Sequence, residues 1–164
     1  MPEEANNTRL KILLLGSQMA TGGAQRVLLD QGHWFAAHGH TVHAAFWYDR
    51  ERLCEQYREE CAFPVIDLEA WRSGSGLANP FRLAGGLLRL YRLMRRERYQ
   101  VIETFTHHAN LLGLPAAWLA RLPVRVAGHH GRIEQLPAWI TRLHTRVINS
   151  RITSILVAVS TRVQ

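Results

Sequence analysis

Six short apolar segments, alternating with helical segments, constrain the fold of this chain more than any other feature. The apolar segments are rich in Val, Ile and Leu and are bounded by glycine or polar residues, which is typical of buried parallel strands. They are Leu10–Leu15, Val42–Phe46, Val65–Leu68, Val101–Phe105, Val124–Ala127 and Ser154–Val159. The segments between them predict helices at Ala24–His38, Asp49–Glu60, Phe81–Tyr99, Ala109–Arg121 and Glu134–Arg151. This alternation predicts an α/β fold, an open parallel sheet with helices on both faces.

The size and composition suit one globular domain. The chain has 164 residues, of which 47% are hydrophobic and 20% are charged, so it buries more apolar surface than a disordered chain can. We predict a flexible N-terminus at residues 1–9 and a single domain at residues 10–164. The longest apolar stretches fall far short of the roughly 20 residues of a membrane span, and no secretory signal is visible. With only two cysteines, Cys54 and Cys61, the composition indicates a cytoplasmic protein.

The positive charge is concentrated in the second half of the chain. Residues 80–164 hold 13 basic and 3 acidic residues, whereas residues 1–79 hold 7 and 10. On the predicted helix Phe81–Tyr99, one stripe is apolar and the opposite side is basic. The apolar stripe is Leu83, Leu87, Leu90, Tyr91 and Met94, and the basic side is Arg82, Arg89, Arg92 and Arg96. Such a face is either simply solvated or attracted to an anionic membrane surface. Nucleic acid is not an expected partner, because no aromatic stacking motif accompanies the charge.

The loop after the first strand, Gly16–Gly23, ends in Gly22 and Gly23 and opens a helix. Glycine lets the backbone approach a ligand, and helix N-terminal amides favour anions. An ordinary glycine-rich turn is the alternative. The spacing fits neither the dinucleotide fingerprint nor a P-loop.

Two histidine pairs follow neighbouring strands. His107, His108, Ala109 and Asn110 follow the fourth strand, and Gly128–Arg132, with His129 and His130, follows the fifth. Because open parallel sheets bind ligands at the carboxyl ends of their strands, these loops are candidate ligand contacts. The alternative is that these histidines are solvated or satisfied within the core. No Cys or carboxylate clearly joins them, so we expect no metal and no other cofactor.

Several motifs in order resemble the retaining GT-B glycosyltransferases of family 4. The segment LKILLLGSQMATGGAQRVLLD resembles the family's first strand and glycine loop, with Gln25 at the usual glutamate position. HGHTVHAA resembles its second strand, THHANLLGLPAAWLARLPVRVAGHHG its fourth strand end to fifth strand, and ILVAVST its sixth strand. A departure is that the family often has His-x-His on the fourth strand, where this chain has Glu103 and Phe105.

The resemblance implies a Rossmann-like domain and a set of site residues. Gly22 and Gly23 would approach the diphosphate of a nucleotide-sugar donor, which is a substrate and not a cofactor. His130 would be the catalytic residue of the cleft. Acceptor or cleft contacts are expected from His108, Asn110, His129 and Arg132.

The resemblance also implies that the chain is one half of a GT-B enzyme. The family binds most of its donor through a C-terminal domain with a Glu-x7-Glu motif, and residues 10–164 contain no such domain. We therefore expect an N-terminal, acceptor-side domain that is inactive in isolation. The whole enzyme would transfer a sugar, with retention, to a glycan or lipid-linked acceptor in polysaccharide biosynthesis, in the cytoplasm or peripherally on the cytoplasmic face of the membrane. The alternatives are a non-catalytic partner subunit of the same fold and a basic binding domain.

Overall fold

The computed structural model describes residues 8–129 and 137–158. Within them, six parallel strands form one sheet in the order β3-β2-β1-β4-β5-β6. The strands are β1 (Lys11–Met19), β2 (Thr41–Asp49), β3 (Val65–Asp67), β4 (Val101–Thr104), β5 (Val124–His129) and β6 (Ile155–Ala158). The predicted open parallel sheet is therefore confirmed.

Helices cover both faces of the sheet. They are α1 (Gly23–Ala37), α2 (Cys54–Glu60), α3 (Asn79–Glu97), α4 (His107–Leu119) and α5 (Ala138–Ile148). Helices α1 and α2 pack on the face that carries Leu14 and Phe46, whereas α3 and α4 pack on the face that carries Leu13 and Leu15. Helix α5 lies beside α4, where Val147 meets Leu114 and Ala127.

The first two strands are longer than the sequence predicts. Gly16 pairs with Phe46 and Gln18 with Tyr48, so β1 continues to Met19 and the predicted glycine loop shrinks to residues 20–22. Strand β2 likewise continues to Asp49, and α2 begins only at Cys54. The carboxylate of Asp49 explains this start, because it accepts the backbone N–H groups of Leu53 and Cys54 at 2.9 Å each.

The apolar side of α3 differs from the predicted stripe at one position. Tyr91 is exposed, whereas Leu93, which the stripe omits, is buried beside Leu90 and Met94. The prediction for Tyr91 was wrong because the buried face of the helix is rotated slightly about the helix axis relative to the predicted stripe.

Parts of the prediction fall outside the described residues. They are residues 1–7, which make up most of the predicted flexible N-terminus, and the site residues His130 and Arg132. Within the described segments, no helix combines the length and the apolar character needed to span a membrane.

Candidate functional site

A cavity of 560 Å³ opens at the carboxyl ends of β1, β2 and β4. It lies beside the point where the strand order reverses, between β1 and β4, and loops that diverge there leave a crevice for ligands. We call it the histidine pocket. Its lining residues are Ser17, Gln18, Trp47, Tyr48, Ala70, Trp71, Leu83, Thr106, His107, His108 and Leu112.

Two tryptophans give the histidine pocket aromatic walls. Trp47 is 4% exposed, and its indole Nε1 is buried without a hydrogen-bond partner among the described residues. Trp71 is 48% exposed. A buried donor that lacks a partner is costly, by about 1–3 kcal/mol.

His107 and His108 belong to the first turn of α4 and not to a loop. The predicted start of this helix at Ala109 is therefore corrected to His107. Thr106 caps the helix, because its hydroxyl oxygen accepts the N–H of Ala109 at 3.4 Å. The same hydroxyl is hydrogen-bonded to Ser17 of β1. The cap therefore fixes the end of β4 against the end of β1 and holds His107 and His108 at the pocket.

His108 is suited to contact a hydroxyl group of a ligand. Desolvation by the surrounding pocket lowers the pKa of this histidine from its usual value. The ring is therefore neutral at pH 7 and offers one hydrogen-bond donor and one acceptor. Its centroid lies 4.2 Å from that of His107.

The glycine loop adjoins the pocket through a chain of side chains. Gln25 donates to the carbonyl oxygen of Gln18 at 3.0 Å, and the Tyr48 hydroxyl donates to Gln18 Oε1 at 2.6 Å. Gly22 caps α1 and Gly23 is its first residue, with no side-chain cap and no acidic residue in the first turn. A Cβ atom at Gly23 would meet no atom within 4 Å. The exposed amide end of α1 is open to an anionic group of a ligand.

Asn110 is fully buried and supports the site from beneath. The Thr104 hydroxyl lies 2.5 Å from Asn110 Oδ1, while Asn110 Nδ2 donates to the carbonyl of Gly128 at 3.2 Å. The same amide nitrogen lies 3.0 Å from Nε2 of His144, which is also fully buried. Because the amide donates on this side, His144 Nε2 is the acceptor and its ring carries the proton on Nδ1. Asn110 thus joins β4, β5 and α5, and its side chain does not line the histidine pocket.

Glu103 and Phe105, at the positions of the family's His-x-His motif, face away from the histidine pocket. Phe105 lies in the core beneath α1, and Glu103 accepts a hydrogen bond of 2.8 Å from Gln31 of α1. Burial raises the pKa of Glu103 to about 7. These two positions therefore belong to the opposite face of the sheet.

The structure gathers only some of the predicted site residues. His108 lines the histidine pocket, Gly22 and Gly23 lie at the adjacent helix end, and His129 is the last residue of β5. Sequence reasoning missed Trp47, Tyr48 and Trp71. The available signal was the position of these aromatic residues: Trp47 and Tyr48 directly follow the second apolar segment, and Trp71 lies three residues after the third, at the same sheet edge as the histidines.

No group of three or more His, Cys, Asp or Glu side chains could hold a metal ion within residues 8–129 and 137–158. The expectation that the protein uses no metal stays a prediction, because His130 and Glu134 lie outside those residues.

The sequence matches one family model, described as "Glycosyl transferase 4-like domain", over residues 22–161. No curated protein matches the sequence.

Solved structures share the fold at low sequence identity. HepE of Anabaena, solved with UDP and with UDP-glucose, has a TM-score of 0.69 and 21% identity over 90% of this chain and 37% of its own. MurG of Acinetobacter baumannii has a TM-score of 0.69 and 14% identity, over 94% and 43% of the two chains. The lipopolysaccharide outer core galactosyltransferase WaaB has a TM-score of 0.68 and 13% identity, over 94% and 40%. The chain thus spans about two fifths of each of these three structures, and its Rossmann-like fold matches GT-B glycosyltransferase domains.

Proposed function

The chain belongs to the glycosyl transferase 4-like domain family, and from this premise we propose that it is the acceptor-side domain of a retaining glycosyltransferase. In this proposal it forms the N-terminal half of a GT-B enzyme, which moves a sugar from a nucleotide-sugar donor to a glycan or lipid-linked acceptor. The isolated domain is inactive, because a second domain binds most of the donor.

The observation that carries the proposal is the histidine pocket. Its exposed tryptophan, Trp71, offers a flat apolar surface of the kind that packs against a sugar ring. Thr106 and His108 add polar groups that suit hydroxyls, which supports a sugar acceptor.

The exposed N-terminus of α1 supports a phosphorylated donor. Its free amide groups and the open space at Gly23 suit a diphosphate that becomes more negative as the sugar departs. HepE was solved with UDP and UDP-glucose, which supports a nucleotide sugar as the donor class.

The mechanism that we propose needs no protein nucleophile. In front-face attack, the acceptor hydroxyl approaches from the side that the diphosphate leaves, and the departing phosphate oxygen takes its proton. His108 would orient the hydroxyl. His130, proposed as the catalytic residue of the cleft from the family resemblance, lies outside the described residues, as does the proposed cleft residue Arg132.

The test is transfer of labelled sugar from a panel of nucleotide sugars to oligosaccharide and lipid acceptors. The 164-residue chain and the full product of its gene are assayed in parallel. We expect transfer only with a donor-binding domain present. Transfer by the 164-residue chain alone would overturn the need for that domain. Absence of transfer by the full product with every donor would instead favour a non-catalytic partner subunit.

A substitution of His108 tests its proposed contact with the acceptor. His108→Ala should lower transfer by the full product about tenfold, the effect of losing one hydrogen bond of 1–1.5 kcal/mol to the acceptor. His130→Ala should also lower transfer without unfolding the protein. His38→Ala, an exposed histidine at the end of α1, is the control and should leave transfer unchanged. Wild-type activity in His108→Ala would remove its proposed role.

Peripheral attachment to an anionic membrane is a second proposal, and the exposed side of α3 favours it. Leu77 and Phe81, at its N-terminal end, are 92% and 81% exposed, and the outer face carries Arg92, Arg95 and Arg96. Exposed apolar side chains next to arginines are typical of a surface that rests in lipid headgroups.

A further inference from the structure

A second cavity, of 550 Å³, adjoins the histidine pocket and shares Tyr48 and Trp71 with it. It forms between the loops that follow β2 and β3 and the first turns of α3. We call it the arginine pocket, because four arginines line it: Arg50, Arg52, Arg72 and Arg82.

The acidic residues of the arginine pocket are already engaged. Both carboxylate oxygens of Asp49 accept backbone N–H groups, and Asp67 Oδ1 accepts the N–H of Glu69 at 2.8 Å. Glu69 forms an ion pair of 3.3 Å with Arg89, and Arg89 does not line the pocket. These contacts hold the loops in place.

The four arginines outnumber the three carboxylates of the pocket lining, Asp49, Asp67 and Glu69. Within the described segments, none of the four forms an ion pair. Arg82 is only partly exposed, and its Nε is buried without a hydrogen-bond partner among the described residues. A buried guanidinium N–H without an acceptor is unfavourable, so an anion that reaches Arg82 would relieve this.

Two loop residues of this pocket adopt left-handed backbone conformations without being glycine. Arg52 has φ 58° and Glu69 has φ 50°. Such conformations cost roughly 1–2 kcal/mol each and cluster at ligand sites, where the surrounding structure maintains them. The strained loops thus keep Arg52 and the Glu69 turn at the pocket.

We propose that the arginine pocket binds an anionic group, phosphate or carboxylate, of the acceptor whose adjoining sugar lies in the histidine pocket. The inference rests on the proposed function and names its acceptor class, an anionic glycan or glycolipid. Guanidinium groups recognise both anions with paired hydrogen bonds. The shared wall of Tyr48 and Trp71 makes the two cavities neighbouring subsites of one acceptor.

Binding of small anions to the 164-residue chain tests this subsite directly. Inorganic phosphate, pyrophosphate and glucuronate are titrated at constant ionic strength, and the Nε–H resonance of Arg82 is followed by NMR. We expect a saturable shift at Arg82. Tighter binding of phosphate or pyrophosphate assigns a phosphorylated acceptor, and tighter binding of glucuronate assigns an acidic sugar.

Matched variants decide whether the signal belongs to the pocket. Because Arg82→Gln removes the Nε–H probe, binding to the wild type and the variants is compared at the indole N–H resonance of Trp71, which lines the same pocket. Arg82→Gln should weaken binding about tenfold, and Arg72→Gln, at an exposed position, should weaken it without affecting folding. Arg95→Gln removes the same charge farther along α3, outside the pocket lining, and should leave the affinity for the anions unchanged. An unsaturable shift, or equal losses in all three variants, would overturn the proposal.

The outcome also separates this inference from the proposed function. Transfer to neutral acceptors by the full gene product, with no anion binding, would support the proposed transferase activity and contradict the proposed anion subsite. Saturable anion binding without any transfer would keep the subsite as an anion site and remove its assignment to an acceptor.

Discussion

At the scale of single residues, the sequence does not determine which polar side chains are buried and which line a pocket. A linear pattern identifies His108 and Asn110 as neighbours at a strand end, but it does not show that one lines a pocket and the other is fully buried. Their difference follows from the pitch of α4, which turns successive side chains to different sides. The sequence pattern places Arg82 on the basic side of α3, yet its Nε is buried beside a cavity. Such roles depend on long-range neighbours that no local motif encodes.

Glu103 should make the stability of the fold depend on pH. This residue is 8% exposed, and burial raises the pKa of its carboxyl group from 4.5 to about 7. Between these values the folded chain holds a proton that the unfolded chain releases, so the free energy of unfolding falls as pH rises from about 4.5 to 7. Glu103→Gln keeps an acceptor for Gln31 and removes the charge. We expect the variant to be more stable than the wild type at pH 8, by up to about 3 kcal/mol, and nearly equal to it at pH 4.5.

Urea unfolding at several pH values, followed by circular dichroism, measures this difference. Glu59→Gln, at an exposed position on α2, is the control and should not alter the pH profile. A stability difference between Glu103→Gln and the wild type that stays constant from pH 4.5 to 8 would show that burial does not perturb this carboxyl group.

At the scale of elements, the sequence predicts which segments form strands and helices better than it predicts their ends. The sequence identified the six strands and five helices of the described residues, because each strand has an apolar run and each helix a helix-forming, amphipathic or charged stretch. The ends of β1 and β2 were missed, because Ser17, Gln18 and Tyr48 are polar or amphipathic, and the strands continue there through pairing of Gln18 with Tyr48 and of Met19 with Asp49. These extensions place Ser17, Gln18 and Tyr48 in the histidine pocket.

The packing of α3 against the segment after β3 should depend on one glycine. A Cβ atom at Gly86 would lie 2.4 Å from Ala70 Cβ and 3.0 Å from Ala70 Cα, so helix and loop would have to separate. We expect Gly86→Ala to lower the free energy of unfolding by about 1–3 kcal/mol. Gly85→Ala is the matched control, because its nearest neighbour is the flexible Arg89 at 3.7 Å. It should be neutral or stabilise the protein by up to about 1 kcal/mol.

Chemical denaturation of the two glycine variants supplies the comparison. Since Ala70 also lines the histidine pocket, Gly86→Ala should in addition shift the NMR resonances of Trp71. Equal stability of Gly85→Ala and Gly86→Ala would mean that α3 moves away without loss, and that the pocket wall is not fixed by this contact.

At the scale of the whole molecule, the charge asymmetry separates into distinct surfaces. The arginines that the sequence places on one side of α3 divide between the arginine pocket, which Arg82 lines, and the outer face, where Arg92 and Arg96 lie with Arg95. The sequence predicted the excess of charge and an open parallel sheet, since both follow from order and composition. It did not predict this division, because the direction of each side chain depends on how α3 packs on the sheet.

The outer face of α3 should bind the chain to anionic vesicles. Each arginine near the surface contributes about 1 kcal/mol, and the exposed Leu77 and Phe81 add apolar contact with the lipid. We expect flotation with vesicles of phosphatidylglycerol and phosphatidylcholine, and little with phosphatidylcholine alone. Arg92→Gln combined with Arg95→Gln should weaken binding about tenfold or more, since two such contributions are lost.

The matched control for this surface is a second pair of exposed arginines. Arg142→Gln combined with Arg146→Gln on α5 removes the same net charge from another part of the molecule. If the α5 pair weakens flotation as much as the α3 pair, the attraction belongs to the overall charge and not to a docking face. Equal flotation with neutral vesicles would contradict an electrostatic mechanism. A selective loss with the α3 pair would place against the lipid the side of α3 that bears Phe81, together with Leu77 just before the helix.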